Sequence, residues 1–376
     1  MKVGEGVFYG APRATSFLLS HRRRTTLRTF SCSSFPDHIS FIKEVAATQP
    51  PKHLSHLLRM LKTKGESIVS PRSTKGLFPL AIPLARSSSD AVTALLRWPT
   101  PPPGMEMPVV EVRKHGVWLL AKTVDQYINR ILVEEDADIS SEANADLFLA
   151  AADAGDNLYT KGDYAKSHIL DLDAYLLKKV GLFPDVIERK VMLHLQKGDH
   201  ISALVTGEFY AKKKHFPGFA RPFAFNAEVM LKIGRKLEAK DAARGALKSP
   251  WWTLGCRYQA WAAQIISPYH FIVLCCVFSS FLDFILLRLE SIQDVAQIAQ
   301  WEDEQIEYIK EKMTVEGRQE DLNKGKEPAQ IALDEAAFLL DLASVEGTWD
   351  ETAEQVAECY KQAGLHDVAR FIQYRD

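Results

Sequence analysis

His53 and His56 stand three positions apart, a spacing that puts two imidazoles on one side of a helical turn and suits a metal ion. A tetrahedral site needs two further ligands. The 5 cysteines, Cys32, Cys256, Cys275, Cys276 and Cys359, form no CxxC pair and no even disulfide framework, so no metal ligand set is assigned and a reducing compartment is expected. Asp171 and Asp173 form a DxD pair, but two positions on a helix point about 200° apart, so they read as surface charges. Lys212, Lys213 and Lys214 suit a solvated face better than a phosphate site. The sequence has no phosphate-binding loop ending in Lys-Ser/Thr, no HExxH and no GxSxG. No catalytic, cofactor-binding or metal-binding residue is assigned, and an enzyme is not expected.

The elements that would position any site follow from charge and periodicity. The chain has 376 residues, 47% hydrophobic and 25% charged, which is an ordinary globular balance. Its net charge of −2 hides an asymmetry: +6 over residues 1–142, +4 over 143–250, 0 over 251–293 and −12 over 294–376. The first 36 residues carry six basic groups against the single acid Glu5, with Ser or Thr at nine positions from Thr15 to Ser34. That composition, without the apolar core of a secretory signal, is that of a chloroplast transit peptide. Residues 1–50 are assigned to it as a disordered N-terminal region. Residues 51–105, with Ser87-Ser88-Ser89 and Pro101-Pro102-Pro103, read as a linker of low order, apart from a short helix expected around Leu54 to Leu61. Val117, Leu120, Ala121, Val124, Tyr127, Ile128 and Ile131 fall at helical spacing, which predicts an amphipathic capping helix over 112–134.

Glycines at 162, 198 and 234 recur every 36 residues, each followed five positions later by a small residue: Ser167, Ala203 and Ala239. Glycine past a helix end enters the left-handed region without a Cβ clash. Asp163 and Asp199 can then cap the next helix. Pro184, Pro217 and Pro250, 33 apart, close each unit. From Ala143 to Pro250 this pattern resembles the tetratricopeptide repeat. The resemblance implies an all-α fold, a helical-hairpin solenoid over 106–250 made of a cap and three repeats, with structural turns at Gly162, Gly198 and Gly234. The usual first-helix tryptophan and leucine are replaced by Ala151 and Ala154.

Residues 251–293 form a hydrophobic insertion. Between Ile265 and Leu289, 21 of 25 residues are Phe, Leu, Ile, Val, Ser, Cys or Tyr, the set encoded by thymine-rich DNA. Retained intron sequence, a membrane helix with Asp283 inside it, and a buried helix all stay open. Residues 294–376 read as acidic C-terminal helical pairs.

A solenoid offers a groove for a polypeptide. The resemblance implies a non-enzymatic protein-binding scaffold of the chloroplast, in the stroma or associated with the thylakoid. Its partner would be a protein, such as a photosynthetic complex subunit whose assembly or stability it assists. Phe223, Phe225, Trp251 and Trp252 are the candidate partner-binding anchors, and membrane association is left open. The alternative is an organellar RNA-binding helical-repeat factor, which the weak +4 charge over 143–250 and the acidic tail disfavour.

Overall fold

The computed structural model describes residues 37–138, 145–152, 158–255 and 314–375. Residues 37–138 build a sheet with flanking helices. α1 (His38–Glu44) starts at Asp37, whose carboxylate accepts the Ser40 N–H at 2.9 Å. Its Phe41 and Ile42 enter the core. α2 (Leu54–Thr63) buries Leu54, Leu57, Leu58 and Leu61, one stripe at helical spacing. Five strands follow: β1 (Ser67–Ile68), β2 (Ala81–Arg86), β3 (Val92–Leu96), β4 (Val109–Arg113) and β5 (Gly116–Ala121). Each pairs antiparallel with the next along the chain, giving the order β1-β2-β3-β4-β5.

Pro83 lies inside β2, where it has no N–H to give the ladder, and the β2–β3 register shifts between Pro83 and Ala85. His38 Nε2 sits 3.0 Å from the Pro83 carbonyl. A carbonyl only accepts, so this nitrogen carries the proton. Arg113 pairs with Gly116 across a turn made by Lys114 and His115. α3 (Val124–Ala137) follows, with Thr123 Oγ1 accepting the Gln126 N–H at 3.1 Å.

This sheet overturns the expected all-α solenoid. β2 and β3 are buried along nearly their whole length. Strands covered on both sides show apolar runs without alternation, and such runs are ambiguous between helix and strand. The stretch 51–105, expected as a low-order linker, contains β1 to β3 as well as α2, which falls where a short helix was expected; the proline run Pro101–Pro103 lies in the β3–β4 connection. The capping helix expected over 112–134 is instead β5 plus α3, whose apolar positions together imitate one helical stripe. Residues 37–50, assigned to the transit peptide, belong to the fold through α1. The transit-peptide stretch 1–36 lies outside the described residues.

The first expected repeat is not a helical pair either. α4 (Ala145–Ala151) is followed by two single turns, α5 (Asp163–Lys166) and α6 (Leu172–Tyr175), and by a π turn over Leu176–Val180. Gly162 does turn left-handed at φ 90, but it is held sideways: its N–H donates to Asp136 on α3 at 2.8 Å. The Tyr159 hydroxyl donates to the same carboxylate.

Two helical hairpins come next. α7 (Pro184–Gln196) and α8 (His200–Tyr210) join at Gly198, φ 72, and α9 (Arg221–Lys232) and α10 (Lys236–Leu247) join at Gly234, φ 84. Asp199 caps α8 by accepting the Ser202 N–H at 3.0 Å. Small buried side chains permit close approach: Ala203 lies in the main core, and Ala224, Ala227, Ala243 and Ala246 form a separate alanine core around α9 and α10. A 3₁₀ turn, Trp251–Thr253, ends this part. The hydrophobic insertion lies outside the described residues from 256 on, as does 294–313; among the described residues no helix is long and apolar enough to cross a membrane.

The C-terminal layer contains α11 (Val315–Asn323), α12 (Pro328–Glu346), α13 (Trp349–Gln362) and α14 (His366–Gln373). One core of buried side chains runs from α1, α2 and the sheet into both hairpins and this layer.

Candidate functional site

Three junctions hold the layers together: α3 to α7, α7 to α9 beside β5, and the C-terminal layer to the β4–β5 turn. At the first, Arg130 on α3 grips Asp185 on α7 with two bonds, Nη1–Oδ1 at 2.8 Å and Nη2–Oδ2 at 2.6 Å, and its guanidinium lies 4.8 Å from the Phe183 ring centre. A bidentate pair that is mostly shielded holds orientation better than exposed pairs such as Lys324–Glu320, which are worth only about 0.3–0.5 kcal/mol.

The second junction centres on Arg221, the first residue of α9. Its Nε and Nη2 donate to the two oxygens of Glu188 on α7 at 2.8 Å each, and its Nη1 donates to Glu228 at 3.0 Å. The Tyr210 hydroxyl donates to Glu188 at 3.1 Å. The guanidinium also stacks near Trp118 of β5 at 5.4 Å and Phe225 at 5.5 Å. Burial acts to depress the Arg221 pKa, but Glu188 and Glu228 outweigh it and hold the group well above its ordinary value. Tyr210 is pushed up by burial and by Glu188. A cavity of about 10 Å³ beside this cluster, lined by Trp118, Tyr210, Phe219, Arg221 and Thr253 among others, has room for a single water.

The third junction clamps the C-terminal layer onto the β4–β5 turn. Trp349 Nε1 donates to the Lys114 carbonyl at 2.8 Å, and His115 Nδ1 donates to the Ser344 carbonyl at 2.9 Å. The Asp350 carboxylate accepts the Gly76 N–H at 2.9 and 3.0 Å. Phe78 stacks on Trp252 at 4.4 Å and meets Trp349 edge-on at 5.1 Å. Gly116 is required here: a Cβ on it would come within 2.1 Å of the Trp252 carbonyl oxygen, and its φ is 142.

Asp341 on α12 accepts the Trp251 N–H at 2.7 Å. Burial pushes its carboxyl up to about 8, against the one opposing backbone bond. An unfolded aspartate titrates near about 3.9. Between about pH 4 and about pH 8 the folded chain therefore binds a proton that the unfolded chain has lost, and this group's contribution makes stability fall as pH rises through that window. Asp341→Asn keeps an acceptor for Trp251 but cannot ionise. The urea midpoint of the variant minus that of the wild type should rise from about pH 4 to about pH 8 and then level off; a difference independent of pH would contradict the assignment.

Of the four predicted anchors, Phe225 and Trp252 are buried in packing, while Phe223 and Trp251 are half-buried. Phe225 is 3% and Trp252 4% exposed. The Trp251 indole donates to the Leu247 carbonyl at 2.9 Å, and Phe223 lies against Gly245 on α10. His53 is buried with its Nδ1 2.7 Å from Asp125, and the His56 ring stands 5.5 Å away; among the described residues no group of three or more His, Cys, Asp or Glu could hold a metal. Asp173 pairs with Arg189 and Asp171 with Lys190. Cys275 and Cys276 lie outside the described residues. Sequence reasoning missed Arg221, Glu188 and Glu228. The available signal was a carboxylate on the buried face of each of two amphipathic helices, with an arginine seven residues before the second.

The three junctions join segments that also appear as units in a protein family. Residues 36–179 match the PAB N-terminal segment, 184–268 the PAB middle domain and 306–375 the PAB C-terminal domain. The chain belongs to the PAB family. It is 56% identical over 354 residues, 94% of its own length and 95% of the relative's, to Protein IN CHLOROPLAST ATPASE BIOGENESIS, chloroplastic, of Arabidopsis thaliana. No solved structure matches it. In PAB terms, the Arg130 and Arg221 junctions tie the middle domain to the N-terminal segment, and the Trp349 clamp ties in the C-terminal domain. The tetratricopeptide resemblance gains no support from these matches.

Proposed function

We propose that this PAB-family chain is a chloroplast protein that assists the biogenesis of the chloroplast ATPase by binding one of its protein components, without catalysing a reaction itself. The observation that carries this reading is the 56% identity along 94% of the chain to a relative named for that process. The fold supports it: the helical hairpins are held by buried junctions on one side and leave apolar residues such as Ile201 and Val205 exposed on the other. A stromal or thylakoid-associated position is part of the same proposal.

The test uses Arabidopsis plants lacking the relative. Expression of this chain in their chloroplasts should restore assembled ATPase on native gels towards the wild-type amount. A chain that enters the chloroplast at normal abundance yet leaves assembled ATPase unchanged would sink the reading.

A further inference from the structure

α8 has two apolar faces. Ala203, Gly207 and Tyr210 are buried in the fold, while Ile201, Val205 and Phe209, at i, i+4 and i+8, are 76%, 62% and 38% exposed. Residues at this spacing lie in one row along a helix, here about 12 Å long. The row runs into a basic end. Lys212, Lys213 and Lys214 are exposed and make no ion pair among the described residues. Lys212 Nζ lies 5.7 Å from the Phe209 ring centre and the His215 ring lies 4.3 Å from it. The His215 imidazole is held below its ordinary pKa by burial and then by Lys214, Lys122 and Lys212, so several cations gather here on two segments of the chain.

We propose that this face of α8 docks an amphipathic helical segment of a partner protein, with apolar residues on Ile201, Val205 and Phe209 and acidic residues at Lys212–Lys214. The inference rests on the reading that the chain acts by binding a component of the chloroplast ATPase. Charge complementarity selects the acidic end, and the row spans two turns of a facing helix. Two of its three residues are aliphatic and offer no ring for base stacking, which favours polypeptide over single-stranded RNA. The lysines cluster at one end rather than along the flanks of α8, where Glu208 sits, unlike a helix lying in a lipid surface.

The experiment titrates the full chain with a labelled helical peptide of about 14 residues, four turns, carrying leucines at i, i+4 and i+7 followed by three glutamates. A peptide with lysines in place of the glutamates is the control. Oligouridylate, anionic phospholipid vesicles and each purified chloroplast ATPase subunit serve as competitors. Val205→Asp and Lys213→Glu should each weaken peptide binding by about tenfold or more, the second in a salt-dependent way, while Leu237→Asp, at a residue 78% exposed on α10, should leave it unchanged. One subunit should displace the peptide. If the peptide does not bind, or binds Val205→Asp as well as wild type, the surface is wrong even where a subunit binds elsewhere. Should RNA or vesicles bind the wild type, lose the variants, and the peptide not bind, the occupant is misassigned. If the peptide behaves as expected but no subunit competes, the surface stands and the ATPase reading falls.

Discussion

Arg221→Met should lower the free energy of unfolding by about 3–5 kcal/mol, read from urea denaturation followed by tryptophan fluorescence. The size follows from what remains. Glu188 and Glu228 are both buried, and the guanidinium bonds directly to both, with Lys232 a second cation acting on Glu228. Removing the guanidinium leaves two carboxylates in a low-dielectric core, so they must either take up protons or repel each other. Removing the carboxylates as well provides an internal control. Combining Arg221→Met with Glu188→Met and Glu228→Gln removes the stranded charges, so the triple variant should be more stable than the single one. A single variant within about 1 kcal/mol of wild type would mean that this cluster does not anchor α7 and α9 to β5.

Trp349→Ala should cost a similar amount, about 3–5 kcal/mol, with a different signature. Trp349 is 1% exposed, meets Phe78 edge-on and donates to the Lys114 carbonyl. Its loss creates a cavity at the seam between the C-terminal layer and the sheet and leaves that carbonyl without its indole donor. Limited proteolysis should then cut within α12 to α14 faster than within α7 to α10. Trp349→Phe keeps much of the volume but not the donor and should fall between the two. Equal protease sensitivity of both regions would show that the seam does not hold the layer.

What the sequence disclosed was local. Gly198 and Gly234 announce their turns because left-handed backbone strongly favours glycine, and Asp199 announces a helix start because its side chain must accept a backbone N–H. The sheet stayed hidden because its evidence is pairing between distant residues. Val92 to Leu96 means little until Val109 to Val112 lies beside it, and the proline run between them looks like a linker when only neighbours are considered. Gly162 shows the limit of reading a motif by spacing: the glycine turns as expected, but Asp136, 26 residues earlier, captures its N–H and no helical pair forms. Trp251 and Trp252 have the composition of an interface, yet Trp252 is buried on Phe78 and the half-buried Trp251 gives its backbone N–H to Asp341, both partners remote in sequence. The exposed row on α8 was obscured for a related reason: α8 is apolar on two sides, so its composition does not reveal which side the fold covers.

The central claim is that the helical hairpins stand on an antiparallel sheet within one fold. The most direct check is a cross-strand disulfide at a directly opposed pair, Thr93 on β3 and Glu111 on β4. Opposed residues in such a ladder have Cα atoms about 4.5–5.5 Å apart, within reach of a disulfide. Oxidation of the Thr93→Cys, Glu111→Cys double variant should yield a peptide linked between positions 93 and 111 by mass spectrometry, with the folded spectrum kept. A folded double variant that forms no such link under oxidising conditions would contradict the pairing, and with it the platform on which the proposed binding face rests.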